Sequence, residues 1–284
     1  MNQSIMIPVL HVYGKGIADT WERSLIMLWE NGIKIKTEYD KPQDPESIDA
    51  TMIMISSDPL SEPRIHLSIP STFKDLQKYK REVVDGVHDH WIDPKSGKWT
   101  YTYHQRLFRY PTANGFVDQI EYAIDKLSDV YYTRRAQAIT WNPALDPSTD
   151  DPPCLQRIWL RCTEEDGVLV LNMNTHWRSR DAYKAAFMNM YALTDLQRVI
   201  ADRLSNKIGK IVKVGQYVDI SDSYHIYGSY IDDFKGRFLK ALEQREFYSE
   251  NIRRSRSLNS NHPLVQKEII DADLELEKEA QTSK

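Results

Sequence analysis

The segment between residues 155 and 204 constrains the fold more than any other part of this sequence. Two strand-like runs, residues 155–162 and 168–177, flank the tetrapeptide Glu-Glu-Asp-Gly. Asp-Gly between two such runs is typical of a tight β-hairpin turn. Residues 182–204 then show the longest helical pattern, and its first half is apolar nearly all round. A helix of that kind is buried, so the sequence predicts a hairpin together with a core helix.

The remaining patterns add strands and helices to the same fold. Strands are predicted at residues 5–14, 33–39, 50–56, 136–141 and 210–220, and helices at residues 21–29, 73–87, 117–127 and 231–242. No repeat and no linker divides the chain, whose 284 residues can bury one large core. We predict a single α/β (α+β) domain over residues 1–250, with a mixed sheet and packed helices. A charged C-terminal tail over residues 251–284 follows, frayed or exposed from residue 275.

The net charge and the cysteine count limit which classes of partner and which cellular compartment we expect. The net charge of -4 gives no electrostatic reason to expect a nucleic acid or a membrane as partner. Two cysteines, Cys154 and Cys162, make no disulfide framework and fit a reducing compartment. No apolar run reaches the roughly 18–20 residues of a membrane-spanning helix, and the first residues lack the features of a secretory signal. We therefore expect a cytoplasmic protein.

Cys154 is the candidate nucleophile. Pro152-Pro153 holds the approach to it extended and removes two N–H donors. Through the predicted hairpin, Arg178-Ser179 can lie near the thiol, and a nearby arginine favours the thiolate. Arg134-Arg135 adds a doubled guanidinium suited to phosphate recognition. The alternative is that Cys154 is a small buried hydrophobe and that the paired arginines are solvated surface.

A metal site is not predicted. His88 and His90, two residues apart, can serve as metal ligands on a strand. However, no cysteine or carboxylate set at ligand spacing accompanies them. We interpret this segment as a solvated or substrate-facing loop.

Six motifs follow one another between residues 103 and 233. They are Tyr103 with Tyr110-Pro111-Thr112, Gly115 and Asp118-Gln119-Ile120; Thr133-Arg134-Arg135 with Trp141-Asn142; Pro153-Cys154; Arg178-Ser179-Arg180-Asp181; Asn189; and His225-Ile226-Tyr227. In this order, and with nearly this spacing, they resemble the thymidylate synthase family. Each motif alone is weak, but six in order are specific.

The resemblance implies a one-carbon transfer to a pyrimidine nucleotide. Cys154 as a thiolate would add to carbon 6 of a uracil ring, making carbon 5 a nucleophile toward the methylene group of methylenetetrahydrofolate. The carrier could equally be a modified pterin. Tyr103, Asp181 and Asn189 are the other catalytic residues that the resemblance implies.

The same resemblance implies a set of binding residues. Arg178, with Arg134 and Arg135, would hold the nucleotide phosphate, and Ser179 would donate to it. His225 and Tyr227 would bond the 3′-hydroxyl of the deoxyribose, while Asp181 would face the pterin and Trp91 would form a wall for the folate. In the family the paired arginines cross a two-fold interface, so a homodimer through the sheet is implied.

Asn189 indicates which base is bound. Its carboxamide can accept from uracil N3–H and donate to O4. A cytosine-directed relative is expected to carry aspartate at this position. The predicted substrate is therefore deoxyuridine monophosphate (dUMP) and the product thymidylate (dTMP). The alternative is an asparagine inside a helix that bonds only to its own chain.

Departures from the family pattern keep other functions open. Leu155 stands where the family usually has histidine, Ser223 replaces an aspartate, and Glu62 and Glu82 are both candidates for the proton-relay glutamate. The family ends on an apolar segment that closes the site, whereas this chain ends on a polar one. Without closure, water can reach the methylene intermediate, which would make the protein a nucleotide 5-hydroxymethylase. A non-catalytic nucleotide-binding relative is the third hypothesis, although it would need no thiolate.

Overall fold

The computed structural model describes residues 6–93, 95–96 and 99–282. The chain forms two compact units. The first holds the residues up to Pro70 with Trp177–Phe187 and Val218–Ser260, and the second holds Ser71–His176, Met188–Tyr217 and the residues from Asn261 onward. None of the helices in these described residues is long and apolar enough to cross a membrane. The predicted strand at residue 5 and tail at residues 283–284 lie outside the described residues.

Within the described residues, the two units contain twelve strands and eight α-helices. The strands are β1 (Val9–Gly14), β2 (Ile33–Ile35), β3 (Ser47–Ser56), β4 (Ile65–His66), β5 (Tyr110–Thr112), β6 (Gly115–Val117), β7 (Gln137–Ile139), β8 (Leu155–Glu165), β9 (Val168–Trp177), β10 (Arg180–Asp181), β11 (Val212–Ile226) and β12 (Ser257–Leu258) in the described residues. The helices are α1 (Ile17–Asn31), α2 (Phe73–Asp85), α3 (Tyr103–Phe108), α4 (Gln119–Asp129), α5 (Ala186–Ile208), α6 (Ile231–Phe234), α7 (Lys240–Gln244) and α8 (Pro263–Thr282). Short 3-10 turns occur at Asp89–Trp91, Asp146–Ser148, Gly228–Tyr230 and Ile252–Arg254, and Lys235–Leu239 is a π-helical turn.

Strands of the first unit pair in both directions beside α1. β1 pairs in parallel with β3, and β2 pairs antiparallel with it. β3 lies next to β11, which also pairs in parallel with β10. In α1 the buried ring of Trp21 lies 5.4 Å from Phe187 and 5.6 Å from Phe238. Its Nε1 donates to the carbonyl of Ala182 at 2.8 Å, so the segment after β10 is tied to this core.

The second unit contains the predicted hairpin. β8 and β9 are joined by Asp166 and Gly167, with φ of 51° and 76°. Positive φ at both central residues is typical of the type I′ hairpin turn, so the prediction is confirmed. β7 pairs antiparallel with β8. Gln197 of α5 donates to the carbonyls of Leu171 at 2.9 Å and Gly215 at 3.3 Å, which places this helix over β9 and the start of β11, as predicted for a core helix.

The C-terminal residues differ from the sequence-based expectation. Instead of fraying, residues 263–282 form helix α8. Val265, Ala272 and Leu276 are buried at helical spacing. Acidic residues of α8 bond to α2; for example, Asp273 accepts from Gln77 at 2.9 Å. The charged composition indicated exposure, but here the charges pair with a neighbouring helix. The boundary between residues 250 and 251 stays a prediction.

Helix α5 begins later than its apolar pattern indicates. The pattern predicts a start at residue 182, whereas the helix begins at Ala186. Asp181 Oδ1 accepts from the backbone N–H of Tyr183 at 3.0 Å and of Lys184 at 2.8 Å. An aspartate that bonds its own backbone in this way makes a turn, which delays the helix.

Candidate active site

A cavity of about 680 Å³ lies in the second unit. Tyr103, at the start of α3, lines this cavity and connects it to the candidate nucleophile. Its Oη accepts from the backbone N–H of Leu155 at 3.2 Å, and Leu155 is the residue after Cys154. The other lining residues are Glu82, Trp99, Thr100, Tyr101, Thr102, Arg106, Ala144, Leu145, Asp146, Ser148, Thr149, Asp150 and Asp151.

The two cysteines of this unit differ in exposure and surroundings. Burial raises the pKa of Tyr103, and the negative charge of a Cys154 thiolate raises it further. The phenol is therefore a hydrogen-bond donor at neutral pH. Cys154 is partly exposed. Cys162, by contrast, is buried in β8, and burial raises the pKa of its thiol to about 12. Of the two cysteines, Cys154 is therefore the more accessible.

A buried ion pair holds the loop that leads to Cys154. Arg106 Nη2 lies 2.6 Å from Asp146 Oδ1, and Arg106 Nη1 donates to Asp146 Oδ2 at 3.2 Å. The same Nη1 donates to the carbonyl of Thr140 at 3.1 Å. Asp146 Oδ2 also accepts from the backbone N–H of Asn142 at 2.6 Å. Because Arg106 and Asp146 both line the cavity, this pair fixes part of its wall.

Glu82 of α2 places a carboxylate on the cavity wall. Its Oε2 lies 2.8 Å from His88 Nδ1. The His88 ring stacks on Trp91 with centroids 3.8 Å apart, and Trp91 meets Trp99 edge-on at 5.1 Å. Trp99, which the sequence motifs did not single out, lines the cavity, and the predicted Trp91 packs against it.

The second glutamate candidate lies elsewhere. Glu62 belongs to the first unit, where its Oε2 accepts from the backbone N–H groups of Arg64 at 2.8 Å and Ser260 at 2.9 Å. These bonds join two loops of that unit. Glu82 is therefore the candidate that faces a cavity.

Two further predicted groups belong to the second unit. Asn189 is buried in α5, and its Nδ2 donates to Tyr79 Oη at 2.6 Å. Arg134 and Arg135 precede β7, and both are exposed. The carbonyl of Arg134 accepts from Trp159 Nε1 at 3.1 Å, which fixes the backbone while leaving the guanidinium groups at the surface.

The first unit brings another set of predicted residues together. Arg178 and Ser179 follow β9, and Asp181 lies in β10 directly opposite His225 of β11. Burial raises the pKa of Asp181 to about 6, although backbone N–H bonds oppose the rise. The side chain is thus mostly ionised at pH 7. The His225 and Tyr227 ring centroids are 4.5 Å apart.

An ion pair beneath this segment was not predicted. Arg180 Nη1 pairs with Asp219 Oδ1, and their side chains are 1% and 0% exposed. The guanidinium also lies 4.2 Å from the Trp177 ring centroid, and Nη2 donates to the carbonyl of Ala186 at 2.9 Å. Arg180 therefore fixes the backbone that carries Arg178 and Asp181.

His225 has an open hydrogen-bonding position. Its side chain is buried, and within the described residues Nε2 has no hydrogen-bond partner. Ser223 Oγ donates to Asp49 Oδ2 at 2.6 Å and lies 3.1 Å from His225 Nδ1. Burial lowers the pKa of His225 to about 4, so the ring is neutral at pH 7. Since the Ser223 proton goes to Asp49, Nδ1–H donates to Ser223 and Nε2 is left as an acceptor.

A sequence model described as thymidylate synthase matches residues 53–270, which include both groups of site residues. The chain belongs to the thymidylate synthase family. Two relatives, both named as predicted thymidylate synthases, support this. The protein of Methanosarcina mazei is 30% identical over 76% of this chain and 88% of its own length. That of Methanosarcina barkeri is 31% identical over the same shares.

A solved structure confirms the predicted mixed α/β fold. Thermostable thymidylate synthase A from Bacillus subtilis superposes with a TM-score of 0.60 at 20% identity. The match covers 83% of this chain and 87% of that one. The family motifs therefore lie on the family fold. Sequence reasoning missed Trp99, the Arg180–Asp219 pair and the Asp49–Ser223–His225 chain. Of these three features, only the last had a signal in the sequence. Ser223 stands where the family has an aspartate, and the structure supplies a carboxylate beside it from Asp49.

Proposed function

We propose that this protein transfers one carbon from methylenetetrahydrofolate, or from a modified pterin, to carbon 5 of dUMP and forms dTMP. The observation that carries this proposal is Cys154, a partly exposed thiol close to Tyr103, which lines a cavity, in a chain of the thymidylate synthase family. A binding module of the same fold would need no nucleophile there.

Cys154 starts the chemistry by covalent catalysis. The thiolate forms a bond to carbon 6 of the uracil ring, and the displaced electron pair makes carbon 5 nucleophilic. After carbon 5 has gained its new substituent, its proton must leave, and the S–C6 bond breaks to return the thiolate. Tyr103 donates a hydrogen bond near the reacting thiol, and Glu82 relays protons on the cavity wall.

Recognition of the nucleotide uses cations and one neutral histidine. Arg178 and Ser179 bind the phosphate, together with Arg134 and Arg135 contributed by the second subunit of a homodimer. The exposure of both paired arginines supports this, since they are available to a partner. His225 Nε2 accepts from the 3′-hydroxyl, which gives this buried atom a partner, and Tyr227 bonds the same hydroxyl.

Asn189 reads the base. Tyr79 takes one hydrogen of its amide, which fixes the carboxamide. Oδ1 and the second N–H then remain for uracil N3–H and O4. This pattern fits dUMP better than a cytosine nucleotide, which has no N3–H.

The cavity suits a flat, partly apolar ring. Trp99, Tyr101 and Leu145 line it, with Trp91 packed behind Trp99. We assign the pterin to this aromatic wall. When bound, the pterin supplies the methylene carbon and the hydride that reduces it.

Incubation with dUMP and methylenetetrahydrofolate is expected to give dTMP and an equal amount of dihydrofolate. Absorbance follows dihydrofolate, and mass spectrometry identifies the nucleotide. A second candidate is the 5-hydroxymethylase, in which water rather than hydride reacts with the methylene intermediate. In that case 5-hydroxymethyl-deoxyuridylate forms without dihydrofolate. If the nucleotide is recovered unchanged, both transferase functions are rejected.

The Asn189→Asp variant is expected to shift selectivity toward the cytosine nucleotide. A carboxylate cannot donate to O4 of uracil, whereas its oxygens can accept from the amino group of cytosine. A bidentate base contact discriminates by roughly 1–3 kcal/mol, so the ratio of kcat/KM values for the two nucleotides should change about 10-fold or more. Asn114→Asp, at an exposed turn, is the matched control. Equal ratios in both variants would remove the base-reading role.

A further inference from the structure

The Glu82–His88 pair depends on a specific reversal of the chain. Helix α2 ends at Asp85, and Gly86 adopts a left-handed conformation with φ of 67°. A Cβ at Gly86 would lie 2.2 Å from Nδ1 of His104, so glycine is required for space as well as for φ. The turn brings His88 back to the last turn of α2. There its Nδ1 meets Glu82 Oε2 at 2.8 Å.

Three elements of the second unit orient the His88 ring. Glu82 of α2 holds Nδ1. Trp91, in the following 3-10 turn, stacks on the ring at 3.8 Å with an interplanar angle of 8°. Glu279 Oε2 of α8 lies 3.9 Å from His88 Nε2, and Oε1 of the same carboxylate lies 3.9 Å from Lys78 Nζ. The His88 and Glu82 side chains are only 9% and 16% exposed, so their hydrogen bond is largely protected from water.

We infer that His88 is a positioning residue that holds the Glu82 carboxylate for proton transfer. The inference rests on the proposed function, in which Glu82 relays protons at the cavity wall. A relay group acts only within hydrogen-bond reach of the proton that it moves, and so its orientation affects rate more than substrate binding. Leu155, beside the nucleophile, has no side-chain group that could hold a carboxylate. His88 supplies this hydrogen bond from another part of the chain.

Two variants separate the hydrogen bond from the packing of the ring. His88→Phe keeps an aromatic ring to stack on Trp91 but has no donor for Glu82. His88→Asn loses the ring but keeps an amide N–H near the position of Nδ1. We expect His88→Phe to lower kcat about 10- to 100-fold with little change in the KM for dUMP, and His88→Asn to recover most of the loss. A merely structural ring would give the reverse order.

His104 provides the matched control. Its Nδ1 lies 2.7 Å from Asp89 Oδ2, an equally short histidine–carboxylate pair, and in the described part of the chain this ring does not line the cavity. His104→Asn is expected to leave kcat within about 3-fold of wild type, because among the described residues neither His104 nor Asp89 lines the cavity. Equal losses in the His104 and His88 variants would overturn the positioning role.

A spectroscopic measurement separates this inference from the proposed function. In ¹⁵N spectra of the full chain, the His88 ring is expected to show a protonated Nδ1, and Glu82→Ala should abolish that fixed state. If wild type transfers no carbon to dUMP, the proposed function fails, and the inference that rests on it fails too. If wild type is active but the Nδ1 signal is unchanged in Glu82→Ala, only the His88 inference fails.

Discussion

Replacing Cys154 by serine is expected to lower turnover of dUMP by at least about 1,000-fold while nucleotide binding stays measurable. An alcohol is a far weaker nucleophile than a thiolate. The bond to carbon 6 would then not form, and carbon 5 would stay inert. Binding persists because the groups assigned to the phosphate, the sugar and the base are unchanged.

Three measurements check this expectation. Turnover is followed as dihydrofolate formation, activation of carbon 5 as release of tritium from that position, and binding by calorimetry with dUMP. Cys162→Ala is the control, because this buried thiol, whose pKa burial raises to about 12, is not available as a thiolate. We expect the folded fraction of Cys162→Ala to turn over dUMP at the wild-type rate. Tritium release that persists in Cys154→Ser would show that another group attacks the ring.

The hairpin and the core helix could be predicted because their signals are local. The signal of Asp166-Gly167 between two strand-like runs depends only on neighbours in sequence, and the structure has the turn at that point. The site motifs could also be recognised in the sequence, because they occur in the order that the family has. Asn189 lies on α5, the predicted core helix, and Cys154 directly precedes β8, the first strand of the predicted hairpin.

Other features could not be predicted because they depend on pairing between distant segments. The acidic composition of α8 indicates a solvated tail. In the structure, however, Lys74 and Lys78 of α2 lie 2.7 and 2.8 Å from the carboxylate of Glu275. Glu82 and Glu62 are equivalent by sequence, and only the cavity distinguishes them. The ion-pair partner of a charged residue can be identified only when the fold shows which residue lies beside it.

Arg180 is the strongest example, and it carries the largest expected effect on stability. In the sequence it occupies the variable position of the Arg-Ser-x-Asp motif, where an arginine would be expected to be exposed to solvent. In the fold it pairs with Asp219, and both side chains are at most 1% exposed. Removing one partner of a buried pair leaves an uncompensated charge in a low-dielectric interior, which costs about 3–5 kcal/mol. We therefore expect Asp219→Ala to lower the free energy of unfolding by about that amount.

Urea denaturation measures this change, and two comparisons test its cause. The double variant Arg180→Met/Asp219→Leu removes both charges and should recover much of the loss, because apolar replacements of a buried pair are often neutral. Asp202→Ala breaks the exposed Arg198–Asp202 pair on α5 and should cost less than about 1 kcal/mol. Since Arg180 fixes the backbone of Arg178 and Asp181, the folded fraction of Asp219→Ala should also show a raised KM for dUMP. An unchanged KM would mean that the phosphate-binding segment keeps its position without the ion pair.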